Sequence, residues 1–393
     1  MGESDVRVLS PAEHRQADEL FRRAIFLPPA DEDTWAATAQ RVEAGRVLGA
    51  FVDDEVVGTA LSMTSALTVP GGAELPAAAV TGVAVRADST RRGLLTGMMR
   101  YQLDDAARRG EAVAVLHASE AGIYERFGYG VATRTRSVEL QRAHMRSSVP
   151  RSGRVRLVTQ ERARDLLPAI YRRCRTGRAG RVHRPDGWWP GRDVAMGESR
   201  TIAVHSDDEG ADDGFVVYQP RGHSSTVDVR DLVAANDLAA GELWRFLVDL
   251  DLITTLAAFD RPVDEPLEWL LADRRTCRTT SVEDDLWVRL VDVPVALRAR
   301  TYGPGDPVVV EVVDDVLPAN SGRYRISSAG VTTCDDSAQL TMSAAALAAL
   351  YLGDQPASAL AAAGLVEAHT ANALTSADHL FATARPPWCG TNF

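Results

Sequence analysis

Candidate reactive and ligand-binding side chains are concentrated between Val80 and Gly130. Thr90-Arg91-Arg92-Gly93-Leu94-Leu95 follows the alternating run Val80 to Arg86 and opens a segment in which Leu94, Leu95, Met98, Met99, Leu103 and Ala106 recur at helical spacing. The pattern predicts strand, tight turn and helix, with Asp88 or Ser89 as the helix cap. A helix N-terminus presents unpaired N–H groups and the positive end of its dipole, so such a turn can hold phosphate oxygens. Gly93 permits close backbone approach, and Arg91 and Arg92 add positive charge. No GK[ST] and no GxGxxG occurs at this turn, which argues against a P-loop and against a dinucleotide fingerprint. An ordinary strand-to-helix turn with solvated arginines fits the same six residues.

Ala112 to Leu116 is a short apolar run suited to a strand buried on both faces. It leads through His117 and Ser119 to a short helix carrying Tyr124, then to Arg126-Phe127-Gly128-Tyr129-Gly130. A neutral phenol can give a proton to a departing thiolate, although Tyr124 by itself equally suits a core aromatic. Together, RRGLL and a run similar to HASEGxIYxRFGYG resemble the Eis family of multi-acetylating GNAT N-acetyltransferases. The turn departs from the generic GNAT pattern at Thr90 and Leu95, and Leu95 is what RRGLL in that family has.

The resemblance implies an α/β (α+β) chain of tandem GNAT folds, the second degenerate, followed by a sterol-carrier-protein-like C-terminal domain. It implies acetyl-CoA as co-substrate and no metal. By the same resemblance Val83, Ala84 and Val85 pair with the pantetheine arm, and Arg91, Arg92, Gly93, Leu94, Leu95 and Thr96 bind the pyrophosphate. Ser119 and Glu120 sit near the cofactor, and Tyr124 is the general acid. The acceptor implied is a primary amine of a cationic small molecule such as an aminoglycoside, acetylated at several positions. A homohexamer is the assembly the family suggests.

Val6 to Leu9 reads as a strand, and Ser10-Pro11 opens a helix broken by Leu27-Pro28-Pro29. Asp31 to Thr34 caps another helix. In GNAT folds this helix pair walls the acceptor pocket, so Phe26, Asp31, Glu32 and Trp35 are candidates for lining it, with carboxylates for ammonium groups and rings for cation–π contact. Val47 to Val52 and Val56 to Met63 flank Asp53-Asp54-Glu55 as a hairpin. Residues 1–143 form the expected catalytic domain. Residues 155–284 repeat the strand-then-helix order without an RRG turn or a counterpart of Tyr124, and residues 285–393 turn to strands beginning at Trp287.

Composition bounds the rest. A chain of 393 residues with 45% hydrophobic and 25% charged residues fits two or three soluble domains. Cys174, Cys277, Cys334 and Cys389 lie far apart with no CxxC pair, which fits a reducing cytoplasm better than a disulfide framework. No run approaches membrane-spanning length, and the first thirty residues have no apolar signal core. Lysine is absent, which removes it as nucleophile or base. A net charge of −11 disfavours nucleic acid and suits a cationic amine. The eight histidines show no metal-ligand spacing, and His117 reads best as a satisfied core residue. A non-catalytic carrier built on the C-terminal domain, or a GNAT enzyme for protein lysines or another acyl group, are the other functional readings.

The chain ends PPWCGTNF, apolar and turn-rich where an idle tail is more often polar. Trp388 and Phe393 can anchor this end. The Phe393 α-carboxylate can then serve as the base that the first domain lacks, as the resemblance also implies.

Overall fold

The computed structural model describes residues 5–174, 177–197, 199–222 and 224–393. The chain opens with β1 (Asp5–Val8), α1 (His14–Ala24), α2 (Glu32–Ala39), β2 (Val47–Val52), β3 (Glu55–Thr68) and β4 (Glu74–Val85). Asp53 and Asp54, both at positive φ (50° and 63°), make the two-residue turn between β2 and β3. That left-handed pair gives a hairpin the twist its strands require. Next come α3 (Leu94–Arg108), β5 (Val113–Leu116), β6 (Gly130–Val131) and β7 (Arg134–Gln141).

The second unit runs β8 (Arg154–Val158), α4 (Gln160–Cys174), α5 (Trp189–Met196), β9 (Thr201–Ser206), β10 (Asp212–Pro220), β11 (Thr226–Ala234), α6 (Asp237–Val248), β12 (Thr255–Pro262) and β13 (Cys277–Asp284). After β14 (Trp287–Leu290), a five-stranded sheet holds β15 (Val308–Val313), β16 (Gly322–Ser327), β17 (Gly330–Thr333), β18 (Leu340–Ser343) and β19 (Val366–Ala368). A helix, Ala344–Tyr351, covers it with Leu347, Leu350 and Tyr351 fully buried.

The first two sheets exchange strands. The first has the order β1-β2-β3-β4-β5-β14-β6, and the second β13-β7-β12-β11-β10-β9-β8. Thus 134–141, which sequence places with residues 1–143, is hydrogen-bonded in the second sheet. Trp287–Leu290, read as the first strand of 285–393, lies in the first sheet between β5 and β6. Two-residue β6 is too short to cover β5. The wholly buried strand β14 does so instead. Periodicity reports that a segment is a buried strand, not which sheet completes it.

This exchange supports the Tyr124 segment from below. Arg289 on β14 is fully buried and makes two hydrogen bonds to Asp314 (2.8 and 2.6 Å), across the boundary with the third sheet. Its guanidinium lies where a side chain at Gly128 (φ +83°) would have to go. Gly130 is equally constrained: a Cβ there would collide with the Ala345 carbonyl and the Ala349 nitrogen of the covering helix. Desolvation pushes the Asp314 carboxyl up, but the Arg289 charge and N–H groups of Leu317 and Asn320 outweigh it and hold it below its ordinary value.

Asp314→Ala should cost roughly 3–5 kcal/mol in denaturant unfolding, because it strands a buried cation. Arg289→Met should cost less, since Asp314 keeps the donors of Val316, Leu317 and Asn320. Equal losses would show that packing, not charge, sets the cost.

Candidate active site

The site begins as an interruption in β4. Its pairing with β3 slips between Thr81↔Leu61 and Ala84↔Thr59, and Gly82 takes φ +62° to absorb the extra residue. β4 meets β5 in parallel only at Ala77–Ala79 against Val113–Val115. Beyond that point the two strands part, and among the described residues no strand lies beside the β5-facing edge of Val83, Ala84 and Val85. A ligand with amides of its own can pair along such an edge.

The α3 N-terminus follows β4. Its cap is Gly93 at φ +82°, not Asp88 or Ser89 as the sequence suggests. Asp88 is drawn off by Arg86 (2.6 Å), and Ser89 is buried in the 3₁₀ turn Ala87–Ser89. No side chain caps α3, so the N–H groups of its first turn stay available to an anion. A Cβ at Gly93 would meet nothing within 4 Å, so the backbone angle, not crowding, calls for glycine. Arg91 (φ +62°) and Arg92 are exposed, and neither forms an ion pair among the described residues.

The second unit repeats the split and closes it. β11 and β12 run parallel only over Thr226–Val229 and Thr255–Ala258. Between their ends lies Arg261, donating from Nη1 to the Leu232 carbonyl (3.0 Å) and from Nε to Glu265 (3.0 Å). The N-terminus of α6 carries a cap, since Asn236 accepts from the Ala239 N–H (2.9 Å). That is the physical content of its degeneracy.

Tyr124 sits between two 3₁₀ turns, Ala121–Ile123 and Glu125–Phe127, where a short helix is expected. Gly128 ends the segment in the left-handed region. The Tyr124 ring is 6% exposed, shares a buried apolar cluster with Ala78, Val80, Met99, Leu116 and Trp287, and lies edge-on to Tyr129 at 6.0 Å. Burial, then the charge of Glu120, raises its hydroxyl above the ordinary value near 10, so it carries its proton at neutral pH. Ser119 and Glu120 are exposed just beyond β5.

The chain end reaches this region through several anchors. Trp388 is held by its N–H to the Ala179 carbonyl (2.9 Å) and by Nε1 to the Asp260 carbonyl (2.9 Å). Thr391 takes a hydrogen bond from Arg184 Nε (3.0 Å) and shares one with the Tyr171 hydroxyl (2.8 Å). Arg184, wholly buried, also binds the Gly390 carbonyl and Asp231 (2.7 and 2.8 Å). His117 is half-buried rather than a core residue and places its two ring nitrogens 3.0 Å from the Asp285 carbonyl and 2.8 Å from the Thr391 carbonyl; its single N–H in the neutral form can serve one of the two.

Asp285, Cys389 and His117 cluster within 4.8 Å. Burial, then the neighbouring Asp285, pushes the Cys389 thiol up, and it donates to the Thr391 carbonyl (3.3 Å). A protonated thiol and an imidazole facing two carbonyls suit a hydrogen-bond cluster better than a metal centre. Phe393 then lies edge-on to His117 (4.9 Å) and against Trp188 (5.3 Å). Thr81 donates to its main-chain oxygen (3.2 Å), which puts the terminal residue beside the β4 bulge.

A cleft beside the bulge is lined by His14, Asp18, Phe21, Trp35, Arg41 and Thr81. Of the four acceptor candidates, only Trp35 is in it. Phe26 is 95% exposed beyond α1, Asp31 caps α2 by accepting from Thr34 (2.8 Å), and Glu32 pairs with Arg15 (2.8 Å). Sequence reading overlooked Asp18 and Thr81. Asp18 had a signal, a carboxylate between Ala17 and Phe21 on the apolar face of α1. Its carboxyl is raised by desolvation, against the opposing charges of Arg22 and Arg41.

A parallel pair of strands that splits beside an uncapped helix is the architecture of GNAT acetyltransferases. The acetyltransferase (GNAT) domain profile matches residues 5–132, a second such profile matches 180–290, and the sterol carrier protein domain matches 293–390. The chain is 37% identical to N-acetyltransferase Eis of Mycobacterium tuberculosis, over 86% of each chain. It is 40% identical to an uncharacterized N-acetyltransferase of Streptomyces avermitilis, over 99% of this chain and all of that one. It superposes on the crystal structure of Eis1 from Mycobacterium abscessus with a TM-score of 0.91, at 40% identity and full coverage of both. The chain belongs to the Eis family of GNAT N-acetyltransferases. No helix among the described residues is long and apolar enough to cross a membrane.

Thr391→Val should loosen the tail, because it leaves Arg184 Nε without an acceptor, although the Tyr171 hydroxyl keeps its bond to the Val182 carbonyl (2.6 Å). Release of Phe393 by carboxypeptidase should quicken several-fold, and an unchanged rate would mean that Trp388 alone anchors the end.

Proposed function

We propose that this enzyme transfers the acetyl group of acetyl-CoA directly to primary amines of cationic small molecules, aminoglycosides among them and at more than one position. The observation that supports this reading is the open β4–β5 split, with Tyr124 in the buried cluster that includes Val80 of β4 and Phe393 hydrogen-bonded to Thr81 of the same strand. Residues 83–85 pair with the pantetheine amides, and the N–H groups of 94–96 with Arg91, Arg92 and Gly93 hold the pyrophosphate, near Ser119 and Glu120. A neutral amine attacks the thioester carbonyl carbon and the C–S bond breaks. Tyr124 gives its proton to the sulfur, while the Phe393 carboxylate takes the amine proton directly or through water. Trp35 and Asp18 furnish an aromatic wall and an acceptor for an ammonium group. An acidic protein surface favours encounter with such substrates.

Tyr124→Phe, assayed by thiol release with acetyl-CoA and an aminoglycoside, should lower kcat about a hundredfold or more while sparing acetyl-CoA affinity. The raised Tyr124 hydroxyl supplies its proton below its pKa and loses that ability above it, so its alkaline limb in kcat should lie above pH 10 and vanish in the variant. A fall of less than about threefold would remove Tyr124 as the acid.

Phe393→Ala keeps a terminal carboxylate and should be the milder change, whereas a few residues added after Phe393 should abolish most turnover. Full activity in the extended protein would rule out the carboxylate as base.

A further inference from the structure

We infer that a second ligand site lies in the second GNAT unit, a pocket for a small oxyanion or phosphate group with Arg181 as its central charge. The pocket, about 170 Å³, lies against the start of α6, where Ala234, Ala235 and Asn236 form one wall. In the first unit the corresponding helix start is the phosphate-ready end of α3.

Four arginines line this pocket, Arg178, Arg181, Arg261 and Arg385, against two carboxylates, Asp237 and Glu265. In a chain of net charge −11 that is a local reversal. Both carboxylates are already committed. Glu265 is held by Arg261 and by Trp244 Nε1 (3.0 Å), and Asp237 faces Arg385 at 3.6 Å. Asp264, just behind, is shared by Arg178 and Arg385.

Arg181 is left over. It is 4% exposed, its Nε and Nη2 have no hydrogen-bond partner, and it forms no ion pair among the described residues. Its guanidinium lies 4.8 Å from the Trp388 ring and 5.0 Å from the Tyr171 ring. Cation–π contact and the charge of buried Asp231, itself bonded to Arg184 and Arg192, offset part of the cost of burying this charge, but no carboxylate pairs with it directly. The pocket is where an anion can be supplied, and guanidinium groups favour phosphate oxygens.

Thermal unfolding of the full chain in rising inorganic phosphate, at ionic strength fixed with sodium chloride, tests this. The first unit can also bind phosphate, so Arg91→Ala/Arg92→Ala is the reference protein. It should keep a saturable rise in Tm, and adding Arg181→Met should raise the half-saturating concentration about tenfold or more, as loss of a charged ligand does. No saturable rise in the reference protein, or one that Arg181→Met leaves unaltered, overturns the proposal. Should Arg181→Met not fold, Arg385→Gln at the half-exposed rim must weaken the response, and an unaltered response there also overturns it. Adenosine monophosphate as a second probe separates the sources. A response to phosphate alone marks a site for the free ion, and a response to both marks one for a phosphate monoester. Retained Tyr124-dependent turnover with no phosphate response would remove this site and leave the catalytic reading intact.

Discussion

The guanidinium of Arg184 sets the course of residues 390 and 391. It is fully buried, pinned by Asp231 and set over the rings of Tyr171 and Trp189 at 4.0 and 5.4 Å, all from the second unit. From that fixed position it binds the Gly390 carbonyl and the Thr391 hydroxyl. Burial costs such an ion several kcal/mol unless every donor is used, which ties its satisfaction to the presence of the tail. The remaining two residues then have little freedom. Arg192 binds the Asn392 carbonyl and Asn392 binds Asp260 (3.1 and 2.9 Å), and Phe393 comes to rest beside Thr81 of the first unit. A structural unit without the reactive split thereby delivers a residue to the unit that has it.

The two GNAT units show how little separates an open strand edge from a filled one. Both contain a parallel pair that diverges after a few residues, followed by a helix start. In one, glycine caps the helix with no side chain and the strand edge is free. In the other, asparagine supplies the cap and an arginine occupies the gap. The backbone arrangement is shared, while hydrogen-bond satisfaction differs, and satisfaction decides whether the strand edge and the helix start keep donors for a ligand.

The glycines of the Tyr124 segment have a similar explanation in contacts from elsewhere. Gly128 accommodates Arg289 from a strand more than 150 residues later, and Gly130 accommodates a helix of the third unit. The sterol-carrier-like domain is thus part of the support beneath the tyrosine, held through the buried Arg289–Asp314 pair.

Local chemistry was legible in the sequence by itself. Periodicity located α3 and the strands before and after it, because a half-buried helix and a buried strand must repeat at 3.6 residues or run apolar. The motifs located Tyr124 and the Arg91-Arg92-Gly93 turn, and the apolar ending singled out Trp388 and Phe393. Tertiary structure alone decided that Gly93 rather than Asp88 caps α3, because Arg86 competes for the aspartate. It alone showed β7 and β14 exchanging sheets, Phe26 and Glu32 lying away from the cleft, and Asp18 and Thr81 lying in it. Each of those facts depends on a partner distant in sequence. Hydrophobic pattern records that a side chain is buried, and only the folded chain records against what.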